Sequence, residues 1–271
     1  MRLYHRLCSI VILAVLSVST GSAEAQGTKR KARPKPAPTR PAPSPVATTL
    51  AGPDGASMVD ERQLFLNGAR TAWAFANRNY QPSTGLYRAH DTYPYVTLWD
   101  VASGLAATYS AHELGFISDA VYNPRIQRVL STLSTVDLFD RAAFNKSYDS
   151  KTGRMIDRRQ RISSSGYGWS VTDIGRLLTW LRIIAVNQPQ FASLAQTIVN
   201  RLDMSRLIKD GYVQGQDVDP ATGSMRMYTE GRMGYEQYAA AGLALWGHRA
   251  EKALDARLNA QPVNVLGVTI V

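Results

Sequence analysis

Four acidic residues near the predicted starts of apolar helices are the side chains best placed to do chemistry. Asp100 and Asp173 each follow a hydroxyl residue by three positions, Glu230 lies in a loop ahead of a helix, and Glu236 falls in that helix's first turn. Two carboxyls can move protons when one is held protonated and the other ionised. The alternative for Asp100 and Asp173 is a capping role, which stabilises a helix by ~0.5–2 kcal/mol. Glu236 would suit the helix dipole in any case, whereas Glu230 has no capping role by position.

Aromatic residues accompany these acids in the chain. They are Tyr95, Trp99, Tyr167, Trp169 and Tyr235. Their rings can serve as stacking faces for a ligand, or they can pack in the core, as aromatic residues at helix starts often do. Arg232, beside Glu230, can bind an anionic ligand group or pair with a neighbouring acid.

Other chemistries find little support in the sequence. Cys8, the single cysteine, lies at the N-terminus, so the domain has no thiolate metal site and no cysteine nucleophile. The three histidines outside the N-terminal segment, His90, His112 and His248, do not have metal-ligand spacing. We therefore expect no metal and no cofactor.

A threefold internal repeat supplies the elements that must position these acids. The segments 79–87, 147–155 and 217–225 share one layout, with Thr-Gly at 84, 152 and 222. Glycine allows the positive φ of a tight turn, so each copy predicts a short β-hairpin or its loop. A loop rich in glycine and aromatic residues follows each copy, and then a helix.

Two kinds of helix alternate along the chain. Predicted inner helices, apolar on most sides, begin near Thr97, Ser170 and Gly234, and predicted outer helices with one apolar stripe cover 59–78, 124–136 and 189–207. This order predicts a mainly all-α fold: an α/α toroid, or part of one, built from helical hairpins with short β-hairpins in the loops. If the inner helices are parallel, their N-termini form a bowl floored by the acids and walled by Tyr and Trp.

The first 57 residues have a different character. Arg2 and Arg6 precede an apolar run at 7–18 and a small-residue site, which predicts a signal peptide over 1–25 cleaved after Ala25. A membrane anchor is the alternative, but the run is short of the ~20 residues that a bilayer requires. Residues 26–57 predict a basic, proline-rich disordered linker, and 58–271 the globular domain. We expect a periplasmic or secreted location.

The net charge of +10 is concentrated in that N-terminal segment. Residues 1–55 carry +6 and residues 56–271 carry +4. The domain is thus only mildly basic, and we do not expect nucleic-acid binding. The basic residues within 29–40 indicate either a solvated tether or a contact with an anionic polymer of the cell envelope.

Several runs together resemble the bacterial DUF3131 family. The runs are 97–103 (TLWDVAS), 111–117 (AHELGFI), 144–148 (FNKSY), 171–178 (VTDIGRLL) and 230–240 (EGRMGYEQYAA). The family is similar in layout to glucoamylase-like, six-hairpin glycosidase domains, which act on bacterial glucans with carboxylates at the inner-helix ends. Family members extend beyond the segment that resembles 263–270, so the resemblance implies a partial toroid, truncated at its C-terminus, with an open edge through which it could self-associate.

The resemblance implies a glycoside hydrolase acting on a bacterial glucan or exopolysaccharide. Such enzymes place two carboxyls roughly 5–10 Å apart across a sugar bond, and the candidates here are Asp100, Asp173, Glu230 and Glu236. The five aromatic residues and Arg232 would bind the sugars. The alternatives are a non-catalytic module that binds cell-envelope glycan and a scaffold in polysaccharide export.

Overall fold

A computed structural model describes residues 61–232, 234–255, 257 and 261–270. The predicted signal peptide and the whole of the predicted linker, with its basic stretch, lie outside these residues. The chain divides into two units, 1–68 and 69–271. Of the first unit the described part is helical throughout, and the second contains the elements that position the site. No helix in the described ranges is both long and apolar enough to cross a bilayer.

Helices and short strands alternate along the described chain. The helices are α1 (Glu61–Asn79), α2 (Leu98–Glu113), α3 (Asp119–Thr135), α4 (Val171–Asn187), α5 (Ala192–Asn200), α6 (Met204–Leu207), α7 (Tyr235–Ala244) and α8 (Glu251–Leu254). The strands are β1 (Tyr95–Val96), β2 (Leu138–Phe139), β3 (Ala143–Phe144), β4 (Tyr148–Asp149), β5 (Gly168–Trp169), β6 (Ile208–Lys209), β7 (Tyr212–Val218), β8 (Met225–Thr229), β9 (Val263–Val265) and β10 (Val268–Ile270). The predicted mainly helical fold is confirmed.

The inner helices α2, α4 and α7 are parallel to one another. A Cβ on Gly175, in the second turn of α4, would lie 2.4 Å from the Cα of Ala239, in the second turn of α7. Further along both helices, the Trp246 indole N–H, just past α7, donates to the Leu178 carbonyl at 2.9 Å. The helices approach this closely because the residues in contact are small. The second contact lies further from the N-terminus than the first one in both helices. The N-termini of α4 and α7 therefore lie at the same end.

Helix α2 has the same relation to α4. The Arg176 guanidinium lies near the start of α2, over the Trp99 ring at 4.2 Å and 3.2 Å from the Ser103 hydroxyl. Further along, Tyr109 of α2 packs on Trp180 of α4 with ring centroids 6.3 Å apart. All three inner helices thus begin at one end of the domain, which meets the condition that the sequence analysis set for a shared bowl.

The three predicted Thr-Gly turns have one geometry. Gly85, Gly153 and Gly223 have positive φ values of 78°, 68° and 70°. Each glycine N–H donates to the carbonyl of the residue four before it, at 2.7, 2.9 and 2.8 Å. Each turn is closed by an antiparallel pair with the same spacing: Tyr80 with Tyr87, Tyr148 with Met155, and Val218 with Met225. The predicted hairpins are confirmed in all three copies.

The segments that lead into the first two inner helices each pair with the hairpin of the next repeat. Strand β1, ahead of α2, pairs with β4 in the second hairpin. Strand β5, ahead of α4, pairs with β7 in the third hairpin. Consecutive repeats are therefore joined by backbone hydrogen bonds just where the inner helices begin.

Two of the outer helices differ from their predicted bounds. Helix α3 begins at Asp119 rather than at Pro124, because Ser118 ends the preceding loop and the proline is accommodated inside the helix. The predicted helix over 189–207 is three pieces, with a 3-10 turn at Pro189–Phe191 followed by α5 and α6. Asp203 ends the second piece by capping α6, where its side chain accepts the Ser205 N–H.

Candidate functional site

Asp100 lies at the first turn of α2, in a capping box with Thr97. Its Oδ2 accepts the Thr97 backbone N–H at 2.9 Å, and the Thr97 hydroxyl accepts the Asp100 N–H at 3.3 Å. Burial raises the pKa of the Asp100 carboxyl, while the hydrogen bonds from Thr97 and the charge of Arg176 act in the opposite direction. The capping role anticipated from the sequence is present, and Oδ2 carries it.

Asp173 occupies the equivalent position in α4, but its environment is different. The Ser170 hydroxyl caps the helix by accepting the Asp173 N–H at 3.3 Å. Burial raises the pKa of the Asp173 carboxyl to about 7, and the neighbouring charges of Glu230 and Asp100 add to that shift. A carboxyl that keeps its proton until near neutral pH can serve as an acid catalyst.

Glu230 precedes α7 in the chain, but it contacts the start of α4 and therefore lies beside Asp173. Its Oε2 accepts the backbone N–H of Thr172, at the start of α4, at 3.0 Å. The position of Glu230 ahead of α7 led us to expect no capping role, and that expectation is wrong. Glu230 caps α4, a helix that lies earlier in the chain. The buried side chain also lies 3.5 Å from the Tyr228 hydroxyl through Oε1.

Ser170 holds these two carboxyls together. Its hydroxyl oxygen is 3.1 Å from Asp173 Oδ1 and 3.3 Å from Glu230 Oε1. Those two carboxylate oxygens are therefore at most about 6.4 Å apart, within the range that glycosidases use. The structure thus brings two of the four predicted acids into one pair, and Asp100 is close enough for its charge to act on Asp173.

Glu236 has a separate environment at the start of α7. Its side chain is fully buried, and neither carboxylate oxygen has a hydrogen-bond partner among the described residues. Burial raises its pKa, with no neighbouring charge among the causes of the shift. An unpaired buried carboxylate is costly, so the neutral acid is favoured here. The predicted role of this residue in a pair with the other acids is not supported by any contact.

Trp169 is a core residue, contrary to the prediction that it binds substrate. It is fully buried, its indole N–H donates to the Gln214 carbonyl at 2.9 Å, and its ring packs on Phe139 at 6.0 Å. Because neither face is open, Trp169 cannot stack a sugar in this structure. Its backbone instead pairs with β7 and places Ser170 at the start of α4.

Trp99, Tyr235 and Arg232 form a partly exposed aromatic and cationic group. The Trp99 and Tyr235 rings are 5.8 Å apart, and Arg232 lies over Tyr235 at 5.6 Å. The buried Arg176 guanidinium lies over the Trp99 ring at 4.2 Å. Burial lowers the pKa of Arg176, while nearby Tyr238, Asp173 and Asp100 act against it. Arg176 thus places a positive charge next to the acids.

Tyr95 and Tyr167 are partly exposed and are fixed by their hydroxyls. Tyr95 donates to the Gln160 carbonyl, and Tyr167 shares a 2.8 Å hydrogen bond with the Ser147 hydroxyl. The buried Asn145 accepts the Tyr167 N–H at 2.9 Å, which anchors the loop ahead of α4. These contacts hold both rings in place, as a rigid binding wall requires.

Several residues at the site were not singled out from the sequence as ligands or catalysts. Ser170 was read as a cap alone, yet it links Asp173 to Glu230. Tyr228 precedes Glu230 by two positions, and strand alternation places such residues on one face, so its contact with Glu230 was predictable. Lys146 forms an ion pair with Asp217 and lies 3.4 Å from the Tyr228 hydroxyl, which no local pattern indicates.

A family model for proteins of unknown function, DUF3131, matches residues 67–271 of the chain. The chain belongs to the DUF3131 family. The resemblance drawn from the five sequence runs is thereby confirmed. No curated protein matches the DUF3131 chain.

Solved structures similar to this DUF3131 chain support the fold. A proposed glucoamylase from Bacteroides fragilis has a TM-score of 0.54 at 16% identity and covers 80% of the chain, and one from Bacteroides caccae has 0.54 at 18% and 78%. An endo-β-1,2-glucanase from Chitinophaga pinensis, in complex with sophorotriose and glucose, has 0.53 at 17% and 77%. The matches cover 56%, 55% and 54% of those chains, so the DUF3131 chain spans little more than half of their length. At this identity the likeness establishes the fold, which is the predicted mainly helical α/α-toroid type.

The donor set of the DUF3131 site consists of carboxylates, hydroxyls and one buried guanidinium. Within the described ranges, no group of three or more His, Cys, Asp and Glu side chains could hold a metal ion. The chemistry available to these side chains is proton transfer and hydrogen bonding to a ligand rich in hydroxyl groups.

Proposed function

We propose that this domain is a glycoside hydrolase-like, carbohydrate-active enzyme that acts on a bacterial glucan or exopolysaccharide. The observation that carries the proposal is the Asp173–Glu230 pair, whose facing oxygens are held within hydrogen-bond reach of the one Ser170 hydroxyl. The fold likeness to proposed glucoamylases and to an endo-β-1,2-glucanase supports a carbohydrate substrate.

Asp173 suits the role of general acid. Its raised pKa of about 7 leaves the carboxyl largely protonated at neutral pH or below, ready to protonate a glycosidic oxygen. Glu230 accepts the Thr172 N–H and lies within hydrogen-bond reach of the Ser170 hydroxyl, which fixes the position of its carboxyl group beside Asp173. Glu230 would then serve as the base or nucleophile of the pair. Asp100 and Arg176 would set the local charge, whereas Glu236 is fully buried and would take no direct part.

The aromatic wall would hold the sugar chain. Tyr95, Trp99, Tyr167 and Tyr235 are partly exposed at the end of the domain where the inner helices begin. Tyr and Trp rings offer apolar faces to sugar rings. Arg232 is exposed beside Tyr235 and can donate hydrogen bonds to the sugar hydroxyls.

A non-catalytic glycan-binding module or scaffold is the second candidate. The observation that favours it is that Asp100 and Glu230 each accept an N–H at a helix start, which gives both acids a structural role without catalysis. Binding would then use the same aromatic wall. Only the second candidate predicts that glycan binds without turnover.

Reducing-end release from a panel of β-1,2-, β-1,3- and α-1,4-glucans and bacterial exopolysaccharides tests the enzyme proposal. Asp173→Asn and Glu230→Gln should each lower kcat/KM at least about a hundredfold, because each removes a proton donor or acceptor. The exposed-site controls Asp210→Asn and Glu251→Gln remove the same charges elsewhere and should retain activity. Turnover at the wild-type level in both site variants would remove the pair from the mechanism.

We also propose that the protein is exported, by cleavage after Ala25, to the periplasm or medium. The charged start, apolar run and small-residue site of the first 25 residues support this. N-terminal sequencing of protein from the periplasmic and medium fractions should give Gln26 as the first residue. An uncleaved N-terminus in the membrane fraction would identify an anchor instead.

We propose two further interactions, one with a polymer of the cell envelope and one between copies of the chain. The basic residues within 29–40 would contact an anionic envelope polymer, and deleting 29–40 should then weaken co-sedimentation with cell envelopes. Self-association would use the β9–β10 hairpin, whose apolar residues Val263, Leu266 and Val268 are exposed. Sedimentation velocity should show a concentration-dependent dimer that Leu266→Ser weakens, and a monomer at all concentrations would refute it.

A further inference from the structure

We propose that the glycan bound by this domain is anionic and that its carboxylate or sulfate groups bind a basic turn at residues 151–161. This inference rests on the proposed function, because it names the class of polysaccharide that the same site takes. The feature that carries it is a cluster of arginines fixed at the edge of the aromatic wall.

The basic turn holds most of the charge imbalance of the domain. It contains five Lys or Arg and one acid: Lys151, Arg154, Arg158, Arg159, Arg161 and Asp157. Its net charge of +4 equals that of residues 56–271 as a whole, so the remainder of that segment is balanced. A concentration of charge in eleven residues attracts anionic ligands to that place in particular.

The basic turn is attached to the aromatic wall by Gln160. The Gln160 carbonyl accepts the Tyr95 hydroxyl, and its side-chain amide donates to the Tyr93 hydroxyl at 3.1 Å. Burial raises the pKa of Tyr93, and the nearby charge of Asp100 adds to the shift. The turn therefore lies next to a ring that is within electrostatic reach of Asp100.

Arg158 extends this contact to the second ring of the wall. Its guanidinium lies over Tyr167 at 5.7 Å and donates to Asp217 Oδ1 at 3.0 Å. Lys146 pairs with the same Asp217 oxygen and lies over Tyr167 at 6.0 Å. Two cations thus share one carboxylate, which leaves a positive charge beside a ring suited to a sugar.

The other arginines of the turn are not equally available. Arg161 forms a two-pronged pair with Asp157 at 2.9 and 3.1 Å, so its charge is largely neutralised. Arg159 is exposed, and its side chain has no carboxylate partner in the part of the chain that the structure describes. Lys151 and Arg154 are exposed as well, but Arg158 and Arg159 adjoin Gln160, which contacts the aromatic wall, and these two are the cations we assign to the ligand.

The arrangement also fixes which sugar can carry the acidic group. The floor of the site is lined by acidic side chains, and the carboxylates of Asp100 and Glu230 repel an anion placed among them. Arg158 lies over the Tyr167 ring at 5.7 Å, at the edge of the site and not on its acidic floor. The anionic group would therefore lie on a sugar next to the reacting one rather than on it.

Binding measured without turnover tests this inference independently of catalysis. The probes are polygalacturonate, dextran sulfate and neutral dextran, with duplex DNA as a polyanion that lacks acidic sugars. Wild-type protein should bind polygalacturonate or dextran sulfate more tightly than dextran. Added NaCl should weaken the binding of the acidic polymer and leave the binding of dextran unchanged. Whichever acidic polymer binds identifies the group as carboxylate or sulfate.

Paired variants locate the site. The double variant Arg158→Gln/Arg159→Gln should bind the acidic polymer roughly tenfold more weakly at low salt. Arg141→Gln/Lys209→Gln removes two exposed cations outside the turn and should bind as the wild type does. Equal loss in both variants, binding of DNA as tight as that of the acidic polymer, or a salt-independent wild-type affinity would each overturn the inference.

The two proposals can fail separately. Acidic polymer that binds at the basic turn but is never cleaved would refute the enzyme while supporting the inference. Cleavage of a neutral glucan with no preference for acidic polymer would support the enzyme and refute the inference.

Discussion

Asp173→Asn should make the protein more stable at pH 8 and remove the part of its pH dependence that comes from this carboxyl. The carboxyl has a pKa of about 7 in the fold against an ordinary value of 3.8, a rise of about three units. Below about pH 4 both states are protonated, and no penalty exists. As the pH rises to 7, the unfolded chain releases its proton first, so the free energy of unfolding falls by roughly 4 kcal/mol.

The asparagine has the same shape and accepts the Ser170 hydroxyl as the acid does, but it carries no charge to desolvate. Urea unfolding followed by far-UV circular dichroism at pH 4, 5.5, 7 and 8 measures the effect. The difference between the two proteins should be near zero at pH 4 and reach a plateau of a few kcal/mol above pH 7. Asp210→Asn, at an exposed position, controls for the loss of one negative charge. Parallel pH curves for wild type and Asp173→Asn would refute the reasoning, as would a variant that is less stable at pH 8.

Three further outcomes follow from the structure. If the Asp173 proton reaches the substrate, kcat/KM should fall above about pH 7 in a pH–rate profile, and a flat profile to pH 9 would contradict that role. Trp169→Phe should cost about 1–3 kcal/mol in urea unfolding, because it removes a buried hydrogen bond and core volume, but it should leave glycan affinity unchanged; weaker binding by folded protein would restore Trp169 to the binding site. Gly242→Ala would place a Cβ 2.1 Å from the Gly175 carbonyl oxygen, so urea unfolding should show a loss of about 1–3 kcal/mol despite the better helix propensity of alanine, and equal or greater stability would show that α4 and α7 do not pack so closely.

The elements that depend on local rules could be predicted from the sequence. The Thr-Gly repeats indicated three turns because only glycine takes their positive φ cheaply, and all three glycines do so. The caps at Thr97 and Ser170 followed from a hydroxyl three residues before an acid. The repeat left the parallel arrangement of the inner helices as a condition, and the contacts of α4 with α2 and α7 meet it.

Contacts between distant parts of the chain were not readable in the same way. Glu230 caps α4 rather than the helix it precedes, a contact across 58 residues that no local spacing encodes. The aromatic side chain of Trp169 indicated a binding role, yet the pairing of its strand with β7 places it in the core. Burial by a neighbouring repeat decided both outcomes, and sequence periodicity within one repeat carries no information about it.

The pairing of β1 with β4 and of β5 with β7 has a consequence for synthesis of the chain. Tyr95 and Val96 cannot find their partners until Tyr148 and Asp149 have left the ribosome, and Gly168 and Trp169 must wait for Gln216 and Asp217. A nascent chain stopped between two repeats therefore exposes unpaired backbone donors and acceptors just before the inner helix that was synthesised last. The first two repeats thus each depend on the next one to complete them during translation, and a chain stalled at either repeat boundary should be at its most susceptible to proteolysis.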